Sequence, residues 1–193
     1  LKEAGCIGVS QLRQPVKDRV YVLELSSFQI DLMPGLHPQA GILNNITPDH
    51  LDRHGAMENY AAVKSRIFAR QGKGDTALCG VDDEWCAEIA AGIKTSADLR
   101  IVSVLRPLTD GISAYDGVLR DMRSGNEVAR IDLRQMPALR GAHNWQNACM
   151  AYGAARALGL SVAEIGQGMR SFPGLAHRMQ QVGDAAGIAF VND

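Results

Sequence analysis

Ala40-Gly41-Ile42-Leu43 runs straight into Asn44-Asn45-Ile46-Thr47-Pro48-Asp49-His50-Leu51-Asp52-Arg53-His54-Gly55, and this junction decides how the chain is read. An apolar run gives way to a Pro-broken turn that holds two carboxylates, two imidazoles and an arginine. Buried strands of α/β sheets deliver their chemistry at the loop following their C-terminal end. The loop is therefore read as a site and residues 40–46 as a buried strand.

Outward from this junction, short apolar runs alternate with helical periodicity. Residues 20–24, Val-Tyr-Val-Leu-Glu, read as a further buried strand, and 76–79 and 100–105 as two more. Between them, 57–69 carries one apolar stripe through Tyr60, Val63, Ile67 and Phe68. A second helix begins at Asp82 or Asp83, both good cap residues, and ends near Ile93. The β-α-β-α-β order predicts an α/β fold with a mostly parallel central sheet flanked by helices. Residues 112–120 and 127–133 predict a small antiparallel element turning at Ser124-Gly125-Asn126. Two helices follow, 144–158 and 161–172, the latter opened by a Ser161/Glu164 capping box. Pro173-Gly174 then divides a domain over 1–174 from the first strands of a second α/β domain over 175–193.

The 193 residues are 46% apolar and 21% charged, with a net charge of −1. Such a balance gives no electrostatic footprint for nucleic acid. No apolar run approaches the roughly 18–20 residues of a membrane span. Cys6, Cys79, Cys86 and Cys149 form no C-x-x-C pair and read as reduced thiols of a cytoplasmic protein, not as a zinc site. Leu1-Lys2-Glu3-Ala4-Gly5 reads as the last turn of a helix, and residues 188–193 as a strand running out of the sequence. Both ends suggest a piece of a longer enzyme.

Each candidate side chain has a structural and a chemical reading. Glu24, at a strand tip, can reach a bound Mg²⁺ or cap a helix. His50 can ligate a metal or sit solvated in its turn. Asp49, Asp52 and Arg53 can brace the loop as a salt bridge. Lys64 borders the apolar stripe of its helix; it either snorkels its amine to water or, partly buried, reacts with CO₂ to give a carbamate that binds metal. Asn144 and Asn147, at i and i+3, can offer adenine a donor and an acceptor, or provide an N-cap and one solvated amide. Arg178 after Pro173-Gly174 can clamp phosphate or bridge domains, and Asp193 can accept from a ribose.

In combination these stretches resemble the Mur ligase family. The matching text is Leu23-Glu24-Leu25-Ser26-Ser27-Phe28-Gln29, Asn45-Ile46-Thr47-Pro48-Asp49-His50-Leu51-Asp52-Arg53 and Ala62-Val63-Lys64-Ser65-Arg66-Ile67. It continues through Gly141-Ala142-His143-Asn144-Trp145-Gln146-Asn147 and Phe172-Pro173-Gly174-Leu175-Ala176-His177-Arg178, in order over nearly the whole chain. The resemblance implies an ATP-dependent, ADP-forming acid–amino-acid ligase of peptidoglycan precursor synthesis, and the forms of the first and last motifs favour the members that add D-glutamate. It implies small-molecule substrates (UDP-N-acetylmuramoyl-L-alanine, D-glutamate and ATP), two Mg²⁺ ions, a monomer, and no nucleic-acid or membrane partner. Glu24, His50 and a carbamylated Lys64 would then be metal ligands, with Lys64 and His50 catalytic. Asn144 and Asn147 would meet adenine, Arg178 the phosphates and Asp193 the ribose, with Ser26 and His177 on the substrate side.

The chain departs from the family pattern in places. The phosphate loop G-x-x-x-x-G-K-[ST] does not occur; Gly72-Lys73-Gly74 lacks its spacing and hydroxyl, so the loop is expected upstream of Leu1. Gly5-Cys6-Ile7-Gly8 stands where family members carry Gly-Asn-Ile-Gly, which removes an amide from a UDP-sugar contact. The D-glutamate contacts are expected after Asp193, so residues 1–193 alone are expected to be inactive. Two other readings compete: a metal-dependent hydrolase built on His50, Asp52 and His54, and a non-catalytic nucleotide-binding module.

Overall fold

The computed structural model describes residues 19–175 and 180–192. Its centre is a six-stranded sheet in the order β1-β2-β3-β4-β5-β6. Strands β1 (Ala40–Leu43), β2 (Thr76–Gly80), β3 (Asp98–Ser103) and β4 (Gly111–Ser113) run parallel. Strands β5 (Val118–Arg123) and β6 (Asn126–Asp132) continue the sheet antiparallel. Side chains alternate across a strand, and here the alternation feeds two cores. Leu78, Val102, Ile112 and Leu119 pack against Cys149 and Tyr152 of α5 (Ala142–Ala157) and Ile165 of α6 (Val162–Ser171). On the opposite face Leu43, Ala77 and Cys79 pack against Tyr60 and Ala61 of α3 (Met57–Ser65) and Cys86 and Ala90 of α4 (Glu84–Gly92). Burying a large aliphatic side chain such as Leu78 stabilises by about 1.5–3 kcal/mol.

The mostly parallel α/β expectation holds, with local corrections. Residues 20–24 form no strand: Val20, Val22 and Leu23 are 58%, 75% and 42% exposed, and the segment pairs with no described strand before α1 (Ser27–Asp31). A strand is stable only with a ladder partner for its backbone groups, which the apolar run of 20–24 cannot supply itself. The expected single strand over 112–120 is broken, because the chain turns between β4 and β5 with Gly117 N–H donating to Ala114 O at 3.2 Å. Of the two cap candidates Asp83 caps α4, accepting from Cys86 N at 2.9 Å, whereas Asp82 accepts from Ser103 Oγ and Val104 N beyond β3.

The β5–β6 hairpin closes through Ser124 and Gly125, with φ of 48° and 82°. Two consecutive positive φ values are the geometry that matches strand twist in a two-residue turn. The capping box of Ser161 and Glu164 opens α6 as expected. Strands β7 (Gln180–Ala185) and β8 (Ile188–Asn192) pair antiparallel as a separate two-stranded sheet. Among the described residues no helix is long and apolar enough to cross a membrane.

Candidate active site at the sheet edge

The C-terminal end of β1 leads into the polar loop, and the ends of β1 and β2 face the first turns of α5. Residue His50 occupies the left-handed region, φ 52° and ψ 33°, directly before α2 (Leu51–His54). A non-glycine residue pays for that conformation, of order 1–3 kcal/mol, and such strain clusters at functional sites. Asp49 offsets it, because its Oδ1 accepts the His50 N–H at 2.8 Å while Oδ2 lies 3.3 Å from His50 Nε2.

Aromatic rings gather the rest. The His50 imidazole meets Phe28 edge-on at 5.1 Å between centroids and Tyr60 at 6.5 Å. Lys64 Nζ stands 5.2 Å from the centroid of the same Tyr60 ring. Thus His50 and Lys64 share a wall that is itself anchored in the core, Tyr60 being buried. His54 tilts against both rings, at 5.9 Å from Phe28 and 5.2 Å from Tyr60, and its Nε2 lies 3.0 Å from the Ser27 hydroxyl. Glu24 is exposed and lies two residues before Ser26, so its Cα is within about 7 Å of that helix start.

Several candidates take up structural work. Ser26 caps α1 in a reciprocal capping box with Gln29, which occupies its hydroxyl as acceptor and donor. Arg53 braces the loop, but against Asp31 of α1 at 3.7 Å and over the Phe28 ring, not against Asp49 or Asp52. Among the described residues no three His, Cys, Asp or Glu side chains come together as a metal site. His50, Asp52 and His54 therefore do not converge, and the hydrolase reading is not supported. The thiols of Cys79, Cys86 and Cys149 are free and buried. Burial, together with the neighbouring Asp82 charge, raises Cys149 above the ordinary thiol range.

At the other end of the site, Asn144 and Asn147 lie inside α5, whose N-cap is Gly141 rather than Asn144. Asn144 Nδ2 donates to Arg140 O at 2.9 Å, and Asn147 Oδ1 accepts from Asn44 Nδ2 at 2.5 Å. His177, Arg178 and Asp193 lie outside the described residues, as do Cys6 and the expected helix end at residues 1–5. Sequence reasoning alone does not single out Ser27, His54 as its partner, or Asn44 beside Asn147. Their contacts cross many residues of chain and leave no local spacing to read.

The profile of the Mur ligase middle domain matches residues 7–155. The chain is 49% identical over 190 residues to UDP-N-acetylmuramoylalanine--D-glutamate ligase of Caulobacter vibrioides, covering 97% of this chain and 40% of that protein. It is 52% identical over 192 residues to the protein of the same name from Chelativorans sp., covering 98% and 40%. The chain thus spans about 40% of the length of these relatives. Its fold superposes on MurF from Acinetobacter baumannii with a TM-score of 0.60 at 22% identity, covering 86% of this chain and 35% of that one. It superposes on UDP-N-acetylmuramate-alanine ligase MurC from Thermotoga maritima with a TM-score of 0.61 at 17% identity, covering 86% and 36%. With its middle-domain profile, its parallel sheet and its motif-bearing edge in agreement, the chain belongs to the Mur ligase family.

Proposed function

We propose that this chain is the central ATP-binding part, residues 1–174, and the start of the C-terminal part, residues 175–193, of a D-glutamate-adding ligase. The complete enzyme would join D-glutamate to UDP-N-acetylmuramoyl-L-alanine in the cytoplasm, forming ADP. The observation that carries this reading is the shared Tyr60 ring, whose centroid lies 6.5 Å from the His50 ring of the loop and 5.2 Å from Lys64 Nζ of α3. Roughly half-identical relatives that bear the ligase name support the same substrate choice.

The donor set fits a hard divalent cation. Glu24 supplies carboxylate oxygen, and the His50 side chain is 45% exposed, so its imidazole is open to a ligand. Lys64 as a cation would repel a metal, whereas its carbamate would add an oxygen ligand. Mg²⁺ bound there would offset the charge gathered where a carboxylate meets a triphosphate. The residues themselves position. In the proposed reaction the substrate carboxylate attacks the γ-phosphorus of ATP, releasing ADP and leaving an acyl phosphate. The D-glutamate amine then adds to that carbonyl and phosphate departs. Catalysis of this kind is chiefly alignment and charge neutralisation. Asn144 and Asn147 would hold adenine, Arg178 the phosphates and Asp193 the ribose, while His177 and, beyond its cap role, Ser26 would face substrate. Residues 1–193 alone would not turn over.

The test is Lys64→Ala in the complete ligase. Turnover should drop at least about a hundredfold, and millimolar formate or acetate should restore part of it by supplying the missing carboxylate. An unchanged kcat would remove Lys64 from the mechanism.

A further inference from the structure

Asn44 follows β1 directly, before the motif begins. Its Nδ2 donates to Asn147 Oδ1 at 2.5 Å, while its own Oδ1 is buried with no hydrogen-bond partner among the described residues. Two further bonds clasp the strand end to α5: Asn45 Nδ2 donates to Gln146 Oε1 at 3.3 Å, and Gln146 Nε2 donates to Asn44 O at 3.3 Å. A Cβ on Gly80 of the neighbouring β2 would lie 2.1 Å from Asn44 O and 3.1 Å from Gln146 Nε2 of α5, so the three elements meet closely here. The strand end and the first two turns of α5 therefore hold a fixed register.

The direction of the Asn44–Asn147 bond matters. Turning the Asn44 amide over would bury an unpaired NH₂ in place of an unpaired carbonyl, and orphaned donors are the rarer of the two in protein interiors. Asn44 thus acts as donor, holds Asn147 Oδ1 inward and leaves the Asn147 NH₂ to face out. Asn144 has the opposite polarity: its Nδ2 is spent on Arg140 O, and its Oδ1 is left to accept. One donor and one acceptor on a single helix face match adenine, whose amino group donates beside a ring nitrogen that accepts. On its N1 side a 6-oxopurine reverses both groups: O6 accepts where the adenine amino group donates, and N1–H donates where adenine N1 accepts, so an Asn147 donor there meets a second donor.

We infer that Asn44 is a specificity-determining positioning residue, which selects the adenine base over a 6-oxopurine by holding Asn147 as a donor. This rests on the proposal that Asn144 and Asn147 meet adenine. Steady-state kinetics of the complete ligase with ATP and with ITP test it in the wild type and in Asn44→Asp, Asn44→Leu, Asn144→Ala and Asn147→Ala. A carboxylate can only accept, so Asn44→Asp turns the Asn147 NH₂ inward. KM for ATP should rise about tenfold with the loss falling on KM rather than kcat, and the ATP-to-ITP ratio of kcat/KM should fall by a similar factor. Asn44→Leu, which keeps the branched shape and removes the donor, should lower the ratio by a smaller factor. An unchanged ratio in both Asn44 variants, with Asn147→Ala still raising KM for ATP, overturns the role of Asn44. A fall in kcat alone overturns it too. Unchanged KM for ATP in both Asn144→Ala and Asn147→Ala overturns the adenine reading beneath it.

Discussion

The Ser27 hydroxyl lies 3.0 Å from His54 Nε2, joining the first residue of α1 to the last residue of α2 beside the Phe28 ring. Ser27 is 2% exposed, so water cannot replace its partner. The bond therefore couples the helix that follows Glu24 to the loop that carries His50.

His54→Phe keeps a ring against Phe28 and Tyr60 but strands the Ser27 hydroxyl. Leaving a buried polar group unpaired costs about 1–3 kcal/mol. Ser27→Ala should cost less, about 0.5–1.5 kcal/mol, because the half-buried imidazole can turn to water. The double variant should lose less than the sum of the two, as expected for residues sharing one interaction. Urea denaturation of the four proteins measures this, and strictly additive losses would show that the pair is not coupled.

Arg100 is 3% exposed in the middle of the sheet, with Asp121 at 7% as its ion-pair partner. The same guanidinium donates to Met122 O at 2.9 Å and to Asp110 at 3.0 Å, and Tyr152 OH donates to the other Asp121 oxygen at 3.0 Å. Burial and the Asp121 charge raise the Tyr152 phenol above its ordinary range. Asp121→Leu leaves a buried cation without its main partner and should cost about 3–5 kcal/mol. Tyr152→Phe should cost about 1 kcal/mol. Arg100→Met combined with Asp121→Leu should recover much of the first loss, because apolar replacement of a whole buried pair is often neutral. A destabilisation below about 1 kcal/mol for Asp121→Leu, against that expectation, would mean the network contributes little.

How much of the molecule is legible in the sequence follows from how local each signal is. β2 and β3 are readable because both of their faces are covered, which leaves continuous apolar runs such as Thr76 to Cys79. Helix α6 is readable from Ser161 and Glu164 alone. Residues 20–24 carry a similar apolar run, yet a strand also requires a neighbour, and pattern does not report one. The break between β4 and β5 is signalled by Asp116-Gly117 but masked by the apolar residues around it. At the site, the Lys64 position follows from its four-residue spacing to Tyr60 on α3. His50 reaches that ring through a left-handed turn, and Asn44 meets Asn147 across the sheet edge; neither approach leaves a spacing to read.

The acid response of the sheet should come from its exposed carboxylate–arginine pairs. Arg123 grips Asp98 with two bonds of 2.8 and 2.7 Å, and that guanidinium holds the Asp98 carboxyl below its ordinary value. A carboxylate whose pKa is lower when folded stabilises the fold above its unfolded pKa, near 4, and that contribution is lost as pH falls through the folded value. Asp116 and Glu127 are held low in the same way, by Arg120 and Arg130 respectively. Both Asp98 and Arg123 are almost half exposed, at 44% and 48%, so solvent screening keeps this pair below about 1 kcal/mol. Asp98→Asn should therefore lower the melting temperature slightly at neutral pH and flatten its decline as pH falls below about 4, so that the two proteins converge at the acid end. Parallel melting curves across that range would place the acid sensitivity in other carboxylates.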